Sequence, residues 1–284
     1  MARFMLIFTK INDLTGFLER ERTAGKTIGF VPTMGALHPG HTSLIERSKK
    51  QCDVTVCSIF VNPTQFNDPK DLERYPRMPQ KDIHLLEEAG CHAVFLPSSE
   101  EIYPNPGKEV FDFGYLNDTL EGKHRPGHFN GVAQVVKRFF QIIEPDAAFF
   151  GSKDYQQVMI IRALVAQMQS KIEIIACPIL READGLAMSS RNALLNVEER
   201  NVASSIPKIM KKANGLLQTV GLEAAKSFVD NETAANPLMK LDYYEVCQAA
   251  DLKIVSKLES GKDYVAVIAC FVGRIRLIDN LALA

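Results

Sequence analysis

The chain has 284 residues, 46% hydrophobic and 24% charged, with a formal net charge of −1 and a pI near 6.6. This is the composition of a globular protein long enough for one large domain or two moderate ones, each with its own core. The balanced charge leaves no broad basic field for a nucleic-acid backbone, and no apolar stretch approaches the roughly 20 residues that cross a bilayer. Six cysteines (Cys52, Cys57, Cys91, Cys177, Cys247, Cys270) form neither a C-x-x-C pair nor a zinc-ligand spacing. Most sit inside apolar runs and read as reduced thiols packed like small hydrophobes. The apolar N-terminal run is too short for a signal-peptide core, so a cytoplasmic location is expected.

In chain order, 27–31 is an apolar strand ending at Pro32, followed by a turn containing Gly35, Pro39 and Gly40 and a helix from about 41 to 50. Strands are expected at 54–61, rich in β-branched residues and closed by Asn62-Pro63, and at 93–96, closed by Pro97. In the helix expected over 131–143, Val132, Val135, Val136, Phe139, Phe140 and Ile143 make one apolar stripe at the helical period. A strand at 147–150, a helix at 156–169 and a strand at 172–176 follow. Alternating strands and helices imply parallel pairing with right-handed crossovers. The predicted fold is therefore α/β, a Rossmann-like doubly wound parallel sheet.

The pattern changes after about residue 178. Helices are expected at 196–217 and 222–230, then antiparallel strands at 241–247 and 264–278, with Gly273 a turn or bulge. This is a smaller α+β unit. The boundary falls at 178–186, giving domains 1–180 and 181–284.

Chemistry concentrates at the ends of strands. The segment Val31-Pro32-Thr33-Met34-Gly35-Ala36-Leu37-His38-Pro39-Gly40-His41 leaves the first strand and enters a helix. Ligands of such sheets bind beyond the carboxyl ends of the strands. A helix N-terminus offers unpaired N–H groups and a positive dipole end, and His38 and His41 add two imidazoles. Together these suit a polyphosphate whose charge shifts during reaction. The segment is neither a Walker A loop nor a G-x-G-x-x-G fingerprint, so no nicotinamide cofactor is indicated.

Three further segments bear chemistry. In Met188-Ser189-Ser190-Arg191, preceded by Arg181-Glu182-Ala183-Asp184-Gly185, hydroxyls and a guanidinium fork are apt phosphate partners. Gly151-Ser152-Lys153-Asp154, followed by Gln157, also leaves a strand for a helix. There Lys153 is a mobile charge able to follow a phosphate, and Asp154 is either a helix cap or a metal partner. Phe60-Val61-Asn62-Pro63-Thr64-Gln65-Phe66 sets polar amides among phenyl rings, an arrangement suited to a small hydroxylated acid.

The H-x-G-H turn together with the Ser-Ser-Arg segment resembles the signature of nucleotidyltransferases and class I synthetases. Over nearly the whole length the chain resembles the pantothenate synthetase (pantoate–β-alanine ligase) family. The matching stretches are 31–41, 58–66, 72–77, 125–132, 151–157, 181–192 and 276–280. The resemblance implies ATP-dependent condensation of pantoate with β-alanine through a pantoyl-adenylate, releasing pyrophosphate and AMP, with Mg²⁺ required and a homodimer as the usual assembly. It implies that His41, His38 and Lys153 are the catalytic residues, acting on the phosphates. Met34, Gly35, Ala36, Leu37, Pro39, Gly40, Gly151, Ser152, Asp154, Met188, Ser189, Ser190 and Arg191 match positions around ATP, and Leu180 matches a backbone contact to adenine. Gln65 and Gln157 match the glutamines that hold pantoate, with Gln65 also where β-alanine arrives. No metal ligand is identified. Closure of the C-terminal unit is expected to keep water from the mixed anhydride.

Two features depart from the family pattern. Ser152 stands where an acidic residue is common, and residues 1–4 precede the usual start. Two other readings share the H-x-G-H turn. A nucleotidyltransferase would yield a stable adenylylated product rather than free AMP. A non-catalytic nucleotide sensor would have little need for the whole His, Lys and Ser-Ser-Arg set.

Overall fold

The computed structural model describes residues 5–66, 69–104 and 109–283, so residues 1–4 lie outside the described residues. The chain divides into two compact units. One is built from residues up to Ser152 with Gln156–Pro178, the other from Lys153–Tyr155 with Ile179–Ala284.

The first unit holds a six-stranded parallel sheet. Its strands are β1 (Leu6–Phe8), β2 (Ile28–Thr33), β3 (Val54–Ile59), β4 (Ala93–Phe95), β5 (Ala147–Gly151) and β6 (Glu173–Cys177). Their spatial order is β1-β4-β3-β2-β5-β6. From β2 the chain steps outward to β3 and β4, then returns to β5 on the other side of β2. The order reverses between β2 and β5, and that is where a doubly wound sheet opens its ligand crevice. Strands β2 to β5 are almost wholly buried, as parallel strands covered on both faces must be.

β1 is a sixth strand that the sequence pattern does not announce. Three residues at a sheet edge, with Leu6 and Ile7 exposed, carry no period to detect. β2 runs two residues past the expected end and includes Pro32. Phe60 N–H donates to Thr33 O at 3.0 Å, so the neighbouring Pro32 faces the β5 side. Pairing with β5 stops at Phe30, and the missing N–H of proline leaves no ladder bond broken. β3 stops at Ile59, two residues short of expectation.

The helix His128–Ile143 starts three residues earlier than its apolar stripe suggests, and all six stripe residues are buried. They pack with Phe30, Phe60 and Phe95 in the main core, where Phe139 meets all three rings edge-on.

The second unit contains helices Val197–Ala203, Ile206–Thr219 and Leu222–Ala234, and the antiparallel sheet β7 (Met239–Gln248), β8 (Tyr264–Val272), β9 (Ile275–Leu283). The single helix expected over 196–217 is two. The chain breaks at Ser204 and Ser205, and Pro207 occupies the first turn of the second helix, where its absent N–H is not required. The stretch expected to be extended over 264–278 is a hairpin, with Gly273 as the turn rather than a bulge. Val272 pairs with Ile275, and Gly273 turns the chain at φ +56°. The sheet's irregularity lies instead in β7, between Leu241 and Tyr243.

Candidate active site

The loop leaving β2 is held by contacts that run into the core. Thr33 Oγ1 donates to Ser58 O at 2.7 Å and accepts from Gly35 N at 3.3 Å. Gly35 and Ala36 then adopt left-handed conformations, at φ +81° and +51°. A Cβ on Gly35 would lie 3.0 Å from Asp82 Oδ2 and 3.1 Å from Ile59 Cγ2, so glycine is required for space as well as for φ. The strained turn is fastened by Asp82, a buried carboxylate in the helix Pro79–Glu88. It accepts from Ala36 N at 2.9 Å and from Leu37 N at 2.7 Å. Sequence reasoning misses Asp82. The available signal is a carboxylate four residues before Leu86, on the core-facing side of its helix.

The two histidines cap the next helix, Pro39–Gln51, which starts earlier than expected. His38 Nδ1 accepts from Gly40 N at 3.1 Å, and His41 Nδ1 accepts from His38 N at 3.3 Å. His41 N and Thr42 N both donate to His38 O, at 2.7 and 3.3 Å, and Pro39 has no N–H. The unpaired amides anticipated at this helix terminus are therefore paired. The reason is physical: a capping box built from imidazoles uses the orphan donors that an anion would otherwise take. Its consequence is chemical. A backbone N–H can only donate, so each Nδ1 is an acceptor and each neutral imidazole carries its proton on Nε2. The rings lie 4.1 Å apart between centroids. The two imidazoles stand at the positive dipole end of the helix.

After β3 the chain makes the tight turn Pro63–Gln65. Asn62, fully buried, organises it. Its amide donates to Gln65 Oε1 at 3.2 Å and to Gly131 O at 3.0 Å, while its Oδ1 accepts from Thr64 Oγ1 and Tyr103 OH, both at 3.0 Å. With its oxygen engaged, Gln65 directs its NH₂ end toward Met34 Sδ. Loop residue Met34 and candidate substrate residue Gln65 are thereby brought together. Gln157 is half-buried on the helix Tyr155–Gln167, which follows β5. Its neighbour Gln156 is buried.

Within the second unit, Leu180 and the segment from Met188 are joined: Leu180 O accepts from Met188 N at 3.0 Å. Ser189 Oγ accepts from Arg191 N at 3.3 Å and starts the short turn Ser190–Leu194. Arg181 does not extend this polar cluster. Its guanidinium forks onto the buried carboxylate of Asp279 at 2.7 and 2.9 Å, and also donates to Gly185 O and Asn280 O. Asn280 Nδ2 in turn donates to Lys153 O at 2.9 Å. Lys153 is thus tied through its own backbone to β9, a link that no local sequence pattern signals. Among the described residues, no group of three or more His, Cys, Asp or Glu side chains is placed to hold a metal ion.

Residues 6–282 match the family model for pantoate-beta-alanine ligase. The chain is 49% identical to the pantothenate synthetase of Porphyromonas gingivalis strain W83, over 98% of this chain and 99% of that one. It is 46% identical to the pantothenate synthetase of Bacteroides fragilis, over 98% of each. Among solved structures, the pantothenate synthetase of Thermus thermophilus superposes with a TM-score of 0.91 at 37% identity, over 98% of this chain and 99% of that one. The pantoate-beta-alanine ligase of Francisella tularensis, solved with beta-gamma ATP and beta-alanine, superposes with a TM-score of 0.82 at 36% identity, over 98% and 97%. The chain belongs to the pantoate-beta-alanine ligase family.

Proposed function

We infer that this protein condenses pantoate with β-alanine at the expense of ATP. The observation that carries this is the end-to-end family match, with a histidine capping box standing at the sheet's switch point. A pantoate carboxylate oxygen attacks the α-phosphorus of ATP, and the bond to pyrophosphate breaks. The β-alanine amine, as the free base, then attacks the acyl carbon of the pantoyl-adenylate. AMP leaves with the C–O bond electrons and the amine loses a proton. Catalysis of the first step rests on positioning and electrostatics.

We assign the Nε2–H groups of His38 and His41, with Lys153, Ser189, Ser190 and Arg191, to the phosphates. Met34, Gly35, Ala36, Leu37, Pro39 and Gly40 line the nucleotide, as do Gly151, Ser152, Asp154, Leu180 and Met188. Gln65 and Gln157 hold pantoate, and Gln65 also meets β-alanine. Asp82 engages the amides of Ala36 and Leu37, so these two residues serve ATP through shape rather than donation. Mg²⁺ characteristically keeps waters and phosphate oxygens as ligands, and we propose that it enters as Mg-ATP. The Francisella relative's ligands support ATP and β-alanine as substrates here. The six buried free cysteines suit a reducing, cytoplasmic compartment. A homodimer completes the proposal.

The test is release of pyrophosphate and AMP from Mg-ATP. With pantoate alone, pyrophosphate should appear for about one turnover, and β-alanine should then start sustained AMP release. Folded protein giving no pantoate-dependent pyrophosphate would overturn the assignment and favour a nucleotidyltransferase.

A further inference from the structure

The two candidate pantoate glutamines lie on different elements, yet one short segment braces both. His128 opens the helix His128–Ile143 and is buried. Its Nδ1 is 2.8 Å from the backbone oxygen of Gln65, and its Nε2 is 2.9 Å from Arg125 Nη1. A carbonyl can only accept and a guanidinium can only donate. His128 is therefore the neutral Nδ1–H tautomer, donating to Gln65 O and accepting from Arg125. Arg125 is anchored to Glu121, by backbone at 2.8 Å and by charge at 3.7 Å. Gly131 seals the contact from the same helix, since a Cβ there would collide with Thr64 O.

The second arm starts from Glu121 as well. Its backbone N–H donates to Gln156 Oε1 at 2.9 Å, and Gln156 Nε2 donates to Leu116 O at 2.8 Å and Thr119 O at 3.0 Å. Gln156 immediately precedes Gln157. The bracing segment is itself tightly folded. Leu120 sits at φ +47°, and a Cβ on Gly122 would lie 2.5 Å from Asn117 O.

We propose that Arg125, His128 and Gln156 are positioning residues that hold Gln65 and Gln157 in mutual register for pantoate. Residues 116–128 act as the common frame. This rests on the assignment of both glutamines to pantoate. The two ring nitrogens of His128 do different jobs, and amide side chains separate them. Asn places an N–H donor where Nδ1 stood, whereas Gln places its amide where Nε2 stood. His128→Asn therefore keeps the bond to Gln65 O, and His128→Gln loses it.

Steady-state kinetics of both variants and of Gln156→Leu, with thermal midpoints as a folding control, decide the matter. Loss of one positioning bond should raise pantoate KM about tenfold in His128→Gln and Gln156→Leu. His128→Asn should stay within about threefold of the parent, and ATP KM should not move in any of the three. Equal pantoate KM in His128→Asn and His128→Gln would overturn the inference, as would parallel losses for ATP and pantoate. Gln65→Ala separates it from the assignment beneath it. An unchanged pantoate KM in Gln65→Ala removes the assignment itself. A raised KM there, with a parental KM in His128→Gln, removes only the frame.

Discussion

His41 and Lys153, both proposed to act on the phosphates, are each fixed by contacts of very different range. His41 owes its tautomer to a local bond three residues away, from His38 N to its Nδ1. His41→Ala should slow single-turnover pyrophosphate release by on the order of 10²–10³, the cost of deleting one preorganised donor. An undiminished pyrophosphate burst would take His41 out of the mechanism. Nitrogen NMR of the free protein should find the Nδ1 of both histidines unprotonated, and a protonated Nδ1 in either would contradict the capping geometry. Lys153 depends on a bond from Asn280, 127 positions away. Asn280→Ala should reduce the adenylation rate about fivefold to tenfold through loss of that one anchoring bond. It should leave pantoate KM unchanged, and equal loss in both parameters would indicate general destabilisation instead.

At the scale of elements, the loop between β2 and the helix Pro39–Gln51 is a strained turn supported from outside. Ala36 at positive φ, directly after Gly35, costs energy that the surroundings must offset, and Asp82 supplies two charge-assisted bonds to the turn's amides. Asp82→Asn replaces one acceptor by a donor facing a donor. It should lower unfolding free energy by about 1–3 kcal/mol and raise ATP KM more than pantoate KM, measured by urea titration and initial rates. Parental ATP kinetics in this variant would show that the loop keeps its shape without the carboxylate. The same scale explains the mistaken helix over 196–217. Its apolar period continues through 204–205, so hydrophobicity alone could not mark the break. Pro207 was the legible sign, because proline belongs in a helix's first turn and not its interior.

For the whole molecule, the cysteines set a pH limit. Burial pushes the Cys91 thiol up to about 12 and Cys247 up to about 12. Thiols held protonated in the folded state ionise first in the unfolded one, near pH 8.5. Their contribution is thus fully present below that pH and declines as pH rises toward the folded values. The urea midpoint should fall between about pH 9 and 11, and Cys91→Ala should flatten that fall. A midpoint independent of pH across this window would refute it. At neutral pH all six thiols should resist iodoacetamide until the chain unfolds, since the thiolate is the nucleophile.

By itself the sequence determined the α/β class, the parallel sheet and its main helix, because strand and helix periods are local and were strong in β2 to β6 and in the stripe from Val132 to Ile143. It also determined family membership, carried by motifs such as His38-Pro39-Gly40-His41 whose members are neighbours in the chain. Only the tertiary structure decided which partner each motif atom receives. Asp82 reaches the Gly35 turn, Asn280 reaches Lys153, and Glu121 and Arg125 reach Gln65 through His128, across separations that leave no period or spacing. The short edge strand β1 was hidden for a related reason: three residues acquire strand character from β4 beside them. Hydrogen bonds between distant segments are chosen by packing, and packing exists only once the chain has folded.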